Sequence, residues 1–166
     1  MTEHSRPNRI LVGVDGSAAS LAALRWAVDE AARRDAEILA VRAWRPRRGW
    51  SASYVPGVRR HLLDRERQRA RRALAADVRS VLGPARRVQV REELAYGDAV
   101  RVLLARAARA DLLVLGGPTD DPALAGVIGF VRAACLKRAP CRVVLIREGR
   151  APSASSPAAR VRAGVR

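Results

Sequence analysis

The chain has 166 residues, enough for one domain with a buried core and too few for two of ordinary size. Apolar residues make up 49% of it, mostly Ala, Val and Leu, yet no apolar run reaches membrane-spanning length and the start lacks a signal-peptide pattern, so a cytoplasmic protein away from the membrane is expected. The net charge of +16 favours polyanions, but all basic residues except Lys137 are arginine amid abundant alanine, with few aromatics among them; this fits salt-sensitive adhesion and speaks against a specific nucleic-acid reader.

Residues 1–8 are polar and expected to be flexible. Arg9 to Val14 (RILVGV) reads as the first strand and Asp15-Gly16-Ser17 as its turn, with Ser17 or Ser20 able to cap the following helix. In Leu21 to Arg34, the positions Leu21, Leu24, Val28 and Ala31 or Ala32 share one face; Trp26 lies off that stripe, placed to cover a sheet edge or a subunit contact. Ala36 to Trp44 completes a short strand-helix-strand unit, which favours a parallel sheet. Residues 45–60 hold five arginines, two prolines, Trp50 and Tyr54, and read by default as a solvated surface excursion, with a lid or partner-binding loop as the alternative.

His61 to Leu82 is predicted as a helix with Leu63, Ala70, Leu74, Val78 and Val81 inward and Arg65, Arg67, Arg69, Arg71 and Arg72 outward, ended by Gly83-Pro84. Arg86 to Glu93 alternates as an exposed, edge-like strand. After Gly97-Asp98 a helix is expected over Ala99 to Arg109, with Val100, Leu103, Leu104 and Ala107 inward. Asp111 to Gly116 is an apolar strand. A loop with Pro118, Thr119, Asp120, Asp121, Pro122 and Gly126 follows, then a helix Val127 to Arg138 stopped by Pro140, and a last strand Cys141 to Ile146. Cys135 and Cys141 lack disulfide-scaffold or metal-ligand spacing and read as small buried hydrophobes. Residues 9–148 thus form one doubly wound α/β domain with five parallel strands, and 149–166 a basic tail without periodicity, expected to be disordered.

Open α/β sheets bind ligands at the carboxyl ends of their strands. The only histidines, His4 and His61, have no serine or cysteine beside them that would make a triad, so side-chain nucleophilic hydrolysis is not expected. Asp15 closes the first strand, where an acid can take ribose hydroxyls; it can equally serve the first helix through its turn. Val41 lies near the end of the second strand and offers an apolar side chain and an amide to a flat base. Gly116 and Gly129 permit close backbone approach, and the amides near Gly129, Phe130 and Val131, at a helix start, can face phosphate. No Gly-Lys-Ser or Gly-Lys-Thr makes a P-loop, and Gly13 and Gly16 lack the third glycine of the dinucleotide fingerprint.

The opening ILVGVDGSAASLAALRWA and the closing ADLLVLG with GVIGFVRAACLKRAPCRVVLI resemble the universal stress proteins of the UspA type, over about residues 8–148. The resemblance implies a three-layer α/β/α fold with a five-stranded parallel sheet of order 3-2-1-4-5, a homodimer through the last strand (142–146), and a cytoplasmic role in stress response, in a family that divides into ATP-binding and non-ATP-binding groups. ATP-binding members carry a glycine, two residues, a second glycine, nine residues, then Gly-Ser or Gly-Thr. On this chain the frame falls on Gly116 and Gly129, with Thr119 at the second glycine and Phe130 at the hydroxyl residue; Asp15 corresponds to the ribose-binding acid and Val41 to the base-contacting position.

Phe130 has no hydroxyl, forfeiting a hydrogen bond worth about 1.5–3 kcal/mol, and its ring can fill the phosphate space. Asp120 and Asp121 add like charge, at about 4 kcal/mol for a pair ~4 Å apart at an effective dielectric of ~20. The expected function is regulatory, by binding protein partners, with ATP bound weakly or not at all and no turnover chemistry. The alternative is a sensor of ATP or AMP with at most slow hydrolysis.

Overall fold

The computed structural model describes residues 8–46, 56–83, 88–117 and 122–147, with side chains from 60 onward in the second helix and from 129 onward in the fourth. Strands and helices alternate as β1 (Arg9–Gly13), α1 (Ala18–Arg34), β2 (Glu37–Trp44), α2 (Pro56–Leu82), β3 (Val90–Tyr96), α3 (Ala99–Ala107), β4 (Leu112–Gly116), α4 (Pro122–Arg138) and β5 (Arg142–Ile146). All pairings are parallel and the sheet order is β3-β2-β1-β4-β5. The central strands are apolar on both faces because both faces are covered. Ile10, Val12, Ile38, Ala40 and Val114 pack towards α1 and α2, whereas Leu11, Val41, Leu113 and Leu115 pack with Val102 and Leu103 of α3 and Cys135 of α4. The result is three layers, α/β/α.

Local chemistry sets the helix ends. Ser17 caps α1 by accepting from the Ser20 amide, and Asp98 caps α3 by accepting from the amides of Val100 and Arg101. Trp26 is partly buried against the core on the α1 side. The buried Glu30 is paired with Arg33 and Arg34 one turn on; burial opposes its charge, but those cations outweigh it and hold its pKa below the usual glutamate value. At the amino edge, Asp111 accepts from the Arg9 amide (2.8 Å) and Arg9 pairs with Glu37, tying β1 to both neighbours.

Four boundaries differ from the sequence reading. The first is β3, which runs from Val90 to Tyr96 instead of ending at Glu93, since Leu94 and Ala95 continue the pairing with Arg42 and Ala43. Second, α3 stops at Ala107, and Val102 is buried where Leu104 is only half-buried.

Third, α4 begins at Pro122, absorbing five residues expected in a loop, Gly126 among them. Proline suits a first helical turn, where its missing N–H has no partner to lose. Fourth, α2 starts at Pro56, and among its described side chains, from residue 60 on, packing on the core begins at Leu74; Leu63 and Ala70 are half-buried and outside both core clusters. The reason is length. α2 has 27 residues, about 40 Å, against about 26 Å for the 8 residues of β2.

No helix among the described residues is long and apolar enough to cross a membrane. Residues 1–7, most of the 45–60 stretch, the start of the strand expected from Arg86, Thr119, Asp120, Asp121 and the 149–166 tail lie outside the described residues.

Candidate functional site

The carboxyl ends of β1 and β4 meet where the sheet order reverses, between β1 and β4. The turn after β1 is built by its own polar atoms. Asp15 Oδ1 accepts from the Ser17 amide (2.9 Å), and the Asp15 amide donates to Ser20 Oγ (3.4 Å), which itself donates to the Ser17 carbonyl (2.9 Å). Gly16 supplies φ of +88°, which side-chain-bearing residues rarely adopt. Over this turn lies Arg42 of β2. It donates to the Asp15 carbonyl (2.5 Å) and to Asp77 of α2 (3.4 Å), and a Cβ at Gly16 would stand 2.7 Å from its guanidinium.

Asp15 therefore serves the turn, and it is exposed at the strand end. A carboxylate has about four acceptor positions, more than the bond from the Ser17 amide consumes. Partial burial opposes its charge; hydrogen bonds from Ser17 and Ser20 and the charge of Arg42 outweigh that, and its pKa lies below the ordinary 3.8.

The other candidates are placed as follows. Gly13 closes β1 opposite Val41, and a Cβ there would strike Leu115 at 2.7 Å, so packing accounts for that glycine. Val41 is 1% exposed in the core under α3, and its carbonyl accepts from the Val14 amide (2.9 Å). Its side chain has no face to offer a base. Gly116 allows a close approach, but by this chain itself: a Cβ would lie 2.8 Å from the Ala19 carbonyl carbon and 2.9 Å from the Ser20 nitrogen.

Gly129, Phe130 and Val131 lie in the interior of α4 and not at its start. Amides beyond the first four of a helix are donors in its own ladder. Val131 packs on the core, and the Phe130 ring is 68% exposed, facing solvent and filling no enclosed space. Thr119, Asp120 and Asp121 lie outside the described residues.

Two residues not singled out in the sequence organise this edge. Arg42 clamps the β1–α1 turn to α2. Arg132 donates to the Gly117 carbonyl (2.6 Å), and the Gly117 amide donates to the Ile146 carbonyl (2.5 Å), tying α4, β4 and β5 together. Each is an arginine inside an otherwise apolar segment, ILAVRAW and GFVRAAC, and that interruption is the signal. Burial raises the thiol pKa of both Cys135 and Cys141, in keeping with a packing role. Among the described residues no group of three or more His, Cys, Asp or Glu is arranged to hold a metal. Among the described residues this edge offers the ionised carboxylate of Asp15 and backbone groups.

Comparison with known proteins matches residues 7–147 to the model of the Universal stress protein family. The chain belongs to that family. With it comes the family's general association with stress response. A universal stress protein of Mycobacterium tuberculosis is 30% identical over 153 residues, covering 92% of this chain and 52% of its own length. This universal stress protein thus spans about half the length of the relatives it matches there. Among solved structures, UspA from Lactobacillus plantarum is 28% identical with a TM-score of 0.54, covering 87% of this chain and 100% of its own. A family member from Burkholderia pseudomallei is 26% identical with a TM-score of 0.55, covering 86% and 97%. A universal stress protein solved in complex with cAMP shares the fold at 21% identity and a TM-score of 0.57, covering 86% and 98%.

The depressed pKa of Asp15 gives this universal stress protein a testable acid response. A carboxylate with a lowered folded-state pKa contributes stability above its unfolded pKa, and that contribution is lost as pH falls through the folded value. Asp15→Asn should lower stability at neutral pH and flatten the fall of Tm below about pH 4. Thermal melts across that range check it; parallel pH profiles for the two proteins would contradict the assignment.

Proposed function

We propose that this universal stress protein is a cytoplasmic regulatory protein that acts by binding partners, with ATP bound weakly or not at all. The observation that carries this reading is the position of Gly129, Phe130 and Val131 inside α4, where their amides belong to the helix ladder and are not free for phosphate. Phe130 brings no hydroxyl, and the backbone at Gly116 is already approached by the start of α1. We propose also that it is a homodimer through β5.

The second reading, a sensor of adenine nucleotides, is favoured by the exposed, ionised Asp15 at the end of β1. The ribose contact proposed at Asp15 does not need the altered loop, so adenosine or AMP is expected to bind at least as well as ATP. Calorimetric titration with adenosine, AMP and ATP at several salt concentrations separates the readings, since the charge of +16 attracts triphosphate unspecifically. Low-micromolar ATP binding that persists in salt and is lost in Asp15→Ala would promote the sensor. Conversely, the combined variant Thr119→Gly, Asp120→Asn, Asp121→Asn and Phe130→Ser should bind ATP more tightly than the parent. A folded variant with no gain would overturn the account of the weakened grip.

A further inference from the structure

The least packed long element is the first half of α2. Leu74 is the first fully buried residue among its described side chains, which begin at residue 60, and about 27 Å of helix precedes it at ~1.5 Å per residue. Asp77 meets Arg42 near the carboxyl end of β2, so these earlier turns project beyond the sheet. From Arg60 to Ala73 no residue is buried.

The arginines of this arm are ordered. At ~100° per residue, Arg60, Arg67 and Arg71 fall in one row and Arg65, Arg69 and Arg72 in a second, roughly 150° around the axis. All six are exposed, and none is in an ion pair among the described residues. His61, Asp64 and Gln68 lie between the rows; half-buried Leu62, Leu63, Glu66, Ala70 and Ala73 occupy the remaining side, towards the domain. Like charges at Arg65/Arg69 and Arg67/Arg71 stand four residues apart and load the helix unfavourably, a strain that a polyanion would relieve.

Helices that dock on proteins need apolar anchors. The exposed large apolar residues among those described are Tyr96, Phe130 and Leu136, none of them on α2. The same lack of aromatics removes the stacking platform that single strands require. What fits two arginine rows flanking a polar strip is a pair of phosphate walls. The B-DNA major groove, ~12 Å wide, admits a helix between such walls, whereas the A-form RNA groove is too narrow. We propose that the projecting arm of α2, residues 60–73, binds duplex DNA through its phosphate backbone, lying in the major groove without sequence preference. The inference is independent of whether a nucleotide occupies the carboxyl edge.

The test is fluorescence anisotropy of the full chain with two unrelated DNA duplexes, a duplex RNA of matching sequence and polyglutamate as competitor, from about 50 to 200 mM salt. Both DNA duplexes should bind equally, ahead of the RNA. The variant Arg65→Gln/Arg67→Gln/Arg69→Gln/Arg71→Gln should lose at least tenfold in affinity at about 100 mM salt. Its slope of log K against log salt should shrink by about 3.6, the share of four phosphate contacts. Arg25→Gln/Arg91→Gln/Arg101→Gln/Arg138→Gln removes the same charge from exposed positions elsewhere and should leave the slope nearly unchanged. Equal losses in the two variants would reduce the effect to net charge and overturn the assignment. So would tighter binding of RNA, strong preference for one DNA sequence, displacement by polyglutamate at equal charge, or no DNA binding at about 50 mM salt. Circular dichroism checks the fold of each variant, and the comparison of DNA with RNA on the unaltered protein decides the matter if a variant misfolds.

Discussion

Replacing Gly116 with valine is expected to lower Tm by about 6–12 °C, while Gly129→Ala raises it by about 2–4 °C. The two glycines stand in the same motif frame, yet their surroundings are opposite. At Gly116 a Cβ would lie 2.8 Å from the Ala19 carbonyl carbon and 2.9 Å from the Ser20 nitrogen, both backbone atoms in the first turn of α1. Backbone packed on a core strand does not yield as a flexible side chain does, and overpacking of this kind costs about 3 kcal/mol. At Gly129 the nearest atom is the Arg132 guanidinium at 3.8 Å, within α4, where alanine is favoured over glycine by about 1 kcal/mol. Thermal denaturation of both variants reads the difference. A tolerated Gly116→Val would mean that α1 does not press on the end of β4, and the covered strand end would no longer argue against a phosphate site there.

The parallel sheet was legible because a strand buried on both faces must be apolar throughout, as in Leu112 to Leu115, whose neighbours on either side are strands. The strand order came from the family resemblance, and the structure agrees with it. Edges were harder to read. In β3, Arg91 and Glu92 are consecutive exposed charges, so alternation gives no clear end, and the strand was placed too early. Periodicity also cannot report how far a helix outruns its sheet: Leu63 and Ala70 continue the stripe of Leu74, Val78 and Val81 but lie past the strands that would bury them. Pro122 read as a loop residue because proline and glycine punctuate that segment, although the first turn of a helix accepts proline. At the candidate site the residues were found but their surroundings were not. Nothing local in the sequence says that Val41 faces α3 or that the space above Gly116 is taken by α1, since both depend on tertiary packing.

The two edges of the sheet differ in a way that leads to the last prediction. β3 carries Arg91, Glu92 and Glu93, and charges on an edge discourage pairing with another chain. β5 has charge only at its boundaries, Arg142 and Arg147; between them Val143, Val144 and Leu145 are apolar yet half-exposed, while their partners in β4 are buried. The Ile146 carbonyl accepts from the Gly117 amide, so it faces β4. Strand alternation then turns the backbone groups of Val143 and Leu145 outward, away from the sheet. An isologous pairing of two β5 strands would satisfy those groups and cover the apolar side chains. The protein is therefore expected to run in light scattering at about twice its 18.0 kDa at roughly tens of micromolar concentration. Val143→Pro removes one outward N–H without touching a bond to β4, and it should shift the protein to the monomer mass while circular dichroism remains that of the folded domain. A monomeric parent would refute pairing through β5, and a proline variant that stays dimeric would place the contact on another surface.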